Sequence, residues 1–116
     1  ATWCADCVPA LERASAIARK FDGRVTVTGL SALERTPDPL PGLRYGAGQL
    51  GERLPPNVAW EGPGGEFGKN WVQASGALVY PLTFLVKDGR IRWMGRSLDG
   101  METKLDALLA EKLDVA

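Results

Sequence analysis

Between Val8 and Phe21 the apolar residues Leu11, Ala14, Ile17, Ala18 and Phe21 recur at helical spacing, while Glu12, Arg13, Arg19 and Lys20 take the opposite side. That periodicity predicts an amphipathic helix. Pro9 suits its first turn and Gly23 supplies its stop. The period then shortens. Arg24 to Leu30, RVTVTGL, alternates β-branched residues as a strand does, with Gly29 weakening its end. Helix followed by strand, with a further strand expected upstream, makes the βαβ unit that a parallel sheet requires.

Regularity breaks over residues 34–57, where Pro37, Pro39, Pro41, Pro55 and Pro56 alternate with Gly42, Gly46, Gly48 and Gly51. This stretch reads as a long Pro/Gly-rich loop insertion with one turn of helix near Gln49 to Arg53. A solvated excursion is the preferred reading over a specificity loop; Arg44 and Tyr45 are the residues that would bind something in the second case. Val58 to Glu61 then reads as a short strand, Gly62 to Gly65 as a turn, and Glu66 to Ser75 as a helix with Phe67, Trp71 and Ala74 on one face. Trp60 and Trp71 are core candidates, because buried indoles contribute large apolar area.

Asp88-Gly89 between Leu82–Lys87 and Arg90–Met94 predicts a tight antiparallel hairpin. Its second strand alternates Ile91 and Trp93 with Arg90 and Arg92, as an edge strand with one wet face should. Asp99 then heads a helix, with Glu102 completing a capping box and Met101, Leu105, Leu108, Leu109 and Leu113 forming an apolar stripe. The whole chain, 1–116, reads as one α/β domain with a mixed sheet and helices on both faces.

Composition narrows the function. With 116 residues, 45% of them hydrophobic, the chain is long enough for a single core without metals or several staples. Fourteen basic and fourteen acidic side chains cancel to a formal net charge of zero, which argues against nucleic acid or an anionic membrane as partner. No apolar run approaches the roughly 18 residues of a membrane span, and no signal peptide is visible.

Both cysteines fall in one motif, Trp3-Cys4-Ala5-Asp6-Cys7, directly before the first helix. If Cys7 opens that helix, the unsatisfied N–H groups and macrodipole at its N-terminus favour a thiolate. Two cysteines at this spacing can also close a small disulfide ring, so that one attacks a target disulfide and the other releases the mixed disulfide. A zinc half-site competes with this reading, but zinc wants four ligands and the chain has no histidine and no third cysteine. An inert staple is another competitor, yet one closing so short a loop constrains little of the unfolded chain. Redox activity is the preferred reading.

The run Ala-Thr-Trp-Cys-x-x-Cys resembles the active-site motif of the thioredoxin superfamily, particularly its TlpA/ResA-like thiol-disulfide oxidoreductases. The likeness continues from Asn57 to Gly95, with strand, helix, glycine, Pro81-Leu82-Thr83-Phe84-Leu85, an Asp-Gly turn and a last strand. The resemblance implies a thioredoxin-like three-layer α/β/α sandwich and places Pro81 on the family's cis-proline, against the active-site sulfurs. It departs from the family at Leu82, where a threonine is frequent, and at Glu12, where a helical proline is usual. In such folds the motif follows a buried central strand, and only Ala1, Thr2 and Trp3 precede Cys4. The expected domain is therefore incomplete on its N-terminal side, with that strand supplied by another segment or subunit.

On this resemblance Cys4 is the attacking thiolate and Cys7 the more buried resolving thiol. Trp3 covers one side of the disulfide, and Tyr80 with Pro81 presents backbone to an extended substrate segment. Asp6 places a negative charge nearby, which opposes thiolate formation. No cofactor or metal is called for. The implied partners are protein disulfides or dithiols and an upstream electron donor, and the implied location is extracytoplasmic rather than cytoplasmic. Two rival functions stand beside this one: a thioredoxin-like protein-binding module with incidental or regulatory cysteines, and a peroxidase related to peroxiredoxins, whose upstream Pro and Thr and distant Arg this chain does not show.

Overall fold

The computed structural model describes residues 1–76 and 80–111. Three α-helices and four strands follow one another along them: α1 (Cys7–Lys20), β1 (Thr28–Ser31), α2 (Leu40–Leu50), β2 (Asn57–Trp60), β3 (Thr83–Lys87), β4 (Arg90–Gly95) and α3 (Met101–Ala110). A 3₁₀ turn, Gly51–Arg53, follows α2, and a π-helical segment, Gly68–Gln73, lies between β2 and β3. The result is a mixed α/β architecture. Among the described residues no helix is long and apolar enough to cross a membrane.

The first helix forms where its periodicity predicts, beginning at Cys7 and carrying Arg19 and Lys20 in its last turn, where they favour the negative end of the macrodipole. Gly23, at φ +74, turns the chain out of it. Ile17 and Phe21 at its C-terminal end pack with Leu98, Met101 and Leu105 into the core, and Val25, Val27, Leu85 and Trp93 close around them. Arg13 donates to Glu102 at 2.6 Å, joining α1 to α3 by an ion pair as well. Leu108 is half-buried and Leu109 exposed, so the stripe of α3 narrows after Leu105; Leu113 lies outside the described residues. The expected capping box is absent: Gly100, left-handed at φ +72, occupies the N-cap position, and Glu102 is engaged by Arg13 instead.

A single mixed sheet was expected, and the described strands form two separate pairs. β1 and β2 run parallel, in register from Thr28↔Asn57 to Ser31↔Trp60. β3 and β4 form the antiparallel hairpin. Between the pairs lies an apolar cleft of about 810 Å³, walled by residues such as Val27, Leu30, Leu43 and Leu85. The predicted strand Arg24–Leu30 is correspondingly shorter and shifted, because backbone becomes a strand only where a ladder partner exists, and β2 reaches only Thr28 to Ser31.

The Pro/Gly-rich stretch 34–57 needs the larger correction. It contains the eleven-residue helix α2, opened by Pro39 and Pro41, residues tolerated at a helix start. Parallel strands cannot be joined by a tight turn; they need a crossover of a dozen or more residues, usually helical. Leu40, Leu43, Ala47 and Leu50 of α2 face the cleft. The 3₁₀ turn is tied to α1 by the buried Ser15 hydroxyl, 3.1 and 3.0 Å from the carbonyl oxygens of Glu52 and Leu54.

In the hairpin a bulge at Leu85/Val86 leaves Arg92 unpaired, so Leu85 faces Trp93 and the next pair is Val86 with Ile91. Ile91 and Trp93 therefore lie on opposite faces, correcting the alternation expected of them; Ile91 is 50% exposed. Leu85 and Trp93 meet the α1/α3 core. On the other face Phe84 is met edge-on by Phe67 and Trp71, with centroids 5.9 and 5.4 Å away. Helices thus cover both faces of the hairpin.

Phe21, at 1% exposure, is the anchor of the α1/α3 core. Replacement by alanine should cost about 3–5 kcal/mol in urea unfolding; a loss below about 1 kcal/mol would mean that this core does not hold the helices together.

Candidate functional site

The site is built on the N-terminus of α1. Asp6 occupies the N-cap position without a side-chain cap bond, and tight turns precede it, with the Cys7 amide donating to the Cys4 carbonyl at 3.2 Å. This winding brings the two cysteines together: the sulfurs of Cys4 and Cys7 lie 2.26 Å apart, at disulfide distance. Both residues are half-buried and both line the apolar cleft, as does Pro81. The Tyr80–Pro81 peptide bond is cis. Asp6 is exposed, its carboxylate 4.0 Å from the Arg96 guanidinium, which counters part of its charge.

Trp3 and Tyr80 stack at 5.2 Å with their planes 15° apart. The Arg35 guanidinium lies 4.1 Å from the Trp3 ring, a cation–π distance. The Trp3 indole N–H donates to the Leu33 carbonyl at 3.1 Å, and the Tyr80 hydroxyl donates to the Ala32 carbonyl at 2.8 Å. Arg96 donates to the Tyr80 carbonyl at 2.8 Å, so the same cation reaches both Asp6 and the residue before Pro81. Burial and the nearby Glu61 and Glu34 carboxylates push the Tyr80 phenol up to about 12, so it remains a hydrogen-bond donor across the physiological range.

Sequence reasoning missed the turn that the Trp3 and Tyr80 side chains both address. Leu33 is one of two non-glycine residues with positive φ among those described, at +56°. The turn around it is held on each consecutive residue: Ala32 through its carbonyl, Leu33 through both backbone groups, Glu34 through its side chain. Glu61 supplies one of these holds, accepting the Leu33 amide at 2.6 Å on one oxygen and the Gly68 amide at 2.7 Å on the other. Glu34 accepts the Thr2 amide at 2.6 Å, the Thr2 hydroxyl at 2.6 Å and the Ser31 hydroxyl at 2.8 Å. Burial pushes the Glu34 carboxyl up, but these hydrogen bonds outweigh it and hold the group below the usual carboxylate range.

No periodicity marks such residues, since each works through a partner more than twenty positions distant or through backbone. Glu34 sat at the edge of the Pro/Gly-rich stretch, and Glu61 at the end of a predicted strand. Of the two residues singled out in the Pro/Gly-rich stretch, Tyr45 is 73% exposed on α2, and Arg44 beside it is exposed but also lines the cleft that Cys4, Cys7 and Pro81 share. Comparison with family models, curated proteins and solved structures found no match for the chain.

Close approach at Gly68 makes the arrangement sensitive to a single methyl. A Cβ there would lie 2.5 and 2.8 Å from the Leu33 side chain and 3.2 Å from the Glu61 carboxylate. Gly68→Ala should therefore destabilise the fold by about 1–3 kcal/mol, read as a lowered urea midpoint; a neutral or stabilising effect would show that the Leu33 turn is not packed there as described.

Acid should act through the carboxylates. Glu34 is held low by its hydrogen bonds, and Glu102 and Glu111 by the guanidinium groups of Arg13 and Arg92. A carboxyl depressed on folding contributes stability above its unfolded pKa, about 4.3 for glutamate, and that contribution is lost as pH falls through the folded value. The urea midpoint should drop between neutral pH and about pH 3, and Glu34→Gln should shrink that drop. An equal drop in the variant would remove Glu34 from the linkage.

Proposed function

We propose that the protein is a thiol-disulfide oxidoreductase of thioredoxin-like fold, exchanging disulfides with protein substrates through Cys4 and Cys7. The observation that carries this reading is the pair itself: two sulfurs at disulfide distance, with the second cysteine opening α1. The helix N-terminus favours negative charge on a nearby sulfur, which is the condition for a reactive thiol. The likeness of the Trp-Cys-x-x-Cys and Pro-x-Thr-Phe-Leu runs to thioredoxin-like oxidoreductases supports the same conclusion, as do the helices on both faces of the β3–β4 hairpin.

Starting from the dithiol, Cys4 as thiolate attacks one sulfur of a substrate disulfide. The substrate S–S bond breaks, and its departing sulfur leaves as thiolate and takes up a proton. Cys7, deprotonated in turn, attacks the Cys4 sulfur of the mixed disulfide and expels the second substrate sulfur. The protein pair is thereby oxidised and the substrate reduced, two electrons having moved. An upstream dithiol donor then restores Cys4 and Cys7, and the sulfurs alone carry the chemistry without a cofactor. Trp3, Tyr80 and Pro81 form the surface on which an extended substrate segment rests. Asp6 opposes thiolate formation and Arg96 offsets it, so the two tune the poise in opposite directions. An extracytoplasmic setting, where client cysteines need reduction, suits this assignment.

The pair should equilibrate between dithiol and disulfide at a defined potential against a glutathione series, followed by alkylation and mass. Cys4→Ser should abolish turnover on a protein disulfide, and Cys7→Ser should accumulate the mixed disulfide. A pair locked in one state throughout, or turnover indifferent to Cys4→Ser, would sink the enzyme reading in favour of a protein-binding module.

A further inference from the structure

We propose that Glu34 is a positioning residue for the Cys4–Cys7 couple, acting through Thr2 and Trp3 as a latch on the segment that runs into Cys4. This inference rests on the thiol-disulfide reading above and adds a residue that acts on its poise through geometry.

Glu34 follows β1 by three residues, and its carboxylate gathers donors from both sides of the site. Oε1 accepts the Thr2 amide and the hydroxyl of Ser31, the buried last residue of β1, while Oε2 accepts the Thr2 hydroxyl. One carboxylate therefore ties a strand to the segment next to the sulfurs. The residues on either side of Glu34 extend the hold to Trp3: Leu33 through its carbonyl on the indole N–H, Arg35 through its guanidinium over the ring. Three consecutive turn residues grip the two consecutive residues immediately before Cys4. The turn in its own right is braced by Glu61 at the Leu33 amide and by Tyr80 at the Ala32 carbonyl.

Holding the backbone before Cys4 raises the effective concentration of its sulfur at Cys7, and so favours the disulfide over the dithiol. Reduction by two glutathione molecules breaks the Cys4–Cys7 bond and forms one S–S bond between the glutathiones. Their two thiol protons end on the protein sulfurs. Loosening the latch shifts that equilibrium toward the dithiol.

The donor pattern separates position from charge. A glutamine at residue 34 can keep its amide oxygen on the Thr2 amide and Ser31 hydroxyl, and turn its NH₂ to the Thr2 hydroxyl, which then accepts. An alanine leaves all three donors without this acceptor. A residue that acts by geometry is rescued by glutamine; one that acts by its charge is not.

The test is the glutathione equilibrium of the full chain, wild type against Glu34→Ala, Glu34→Gln, Thr2→Ala and the Glu34→Ala/Thr2→Ala double variant, with far-UV circular dichroism to confirm the fold and tryptophan fluorescence to report on Trp3. Glu34→Ala should shift the equilibrium about tenfold toward the dithiol, about 30 mV, and alter the fluorescence. Glu34→Gln should stay within about twofold of wild type, Thr2→Ala should shift part of the way, and the double variant no further than Glu34→Ala. Wild-type equilibrium in Glu34→Ala would overturn the latch while leaving the oxidoreductase standing. Equal shifts in the glutamine and alanine variants would overturn it too, by assigning the effect to charge. A wild-type pair that never equilibrates overturns both readings.

Discussion

The turn from Ala32 to Glu34 is the constraint on which the site depends. Leu33 adopts a left-handed conformation that costs a non-glycine residue roughly 1–2 kcal/mol, and it persists because both of its own backbone groups and the Ala32 carbonyl are hydrogen-bonded. Two glutamates supply most of the restraint. Charge-assisted hydrogen bonds each contribute about 1.5–3 kcal/mol, so the Glu61 carboxylate on Leu33 and Gly68 is enough to offset the strained backbone. Once the turn is set, its carbonyls point at Trp3 and Tyr80 and its carboxylate at Thr2. The aromatic surface beside the sulfurs is a consequence of that turn.

The other fixed point is α1, whose two ends do different things. Its N-terminus presents Cys7 and the dipole's positive end to Cys4; its C-terminal half buries Ile17 and Phe21 against Leu98, Met101 and Leu105. The cysteine end is therefore anchored by apolar packing on the same helix, about three to four turns away. The arrangement puts rigid support under the disulfide while leaving its rim, with Asp6, Arg35 and Arg96, open to solvent.

Between the two strand pairs the chain leaves an apolar cleft rather than a continuous sheet. The sulfurs and Pro81 line it together with both walls, so the cysteine pair sits where the α1 core, the β1–β2 pair and the β3–β4 hairpin converge. Each of these elements reaches the site by a different physical route: α1 by its dipole, β1 by Ser31 and the turn that follows, the hairpin through the Tyr80–Pro81 segment leading into β3.

Local patterning by itself determined α1, the hairpin with its Asp88-Gly89 turn, the apolar start of α3 and the cysteine pair, because each is specified by residues within a few positions of one another. Periodicity, turn chemistry and a two-residue spacing are short-range signals. Tertiary structure alone decided the rest. Helix α2 exists in a stretch rich in helix breakers because parallel pairing of β1 with β2 demands a crossover and the cleft receives its leucines. The bulge that turns Ile91 outward depends on the register of a partner strand. The roles of Glu34, Glu61, Arg35 and Arg96 could not be read in advance, because a polar side chain's function is set by which backbone groups are left to satisfy, and those become known only when distant segments meet.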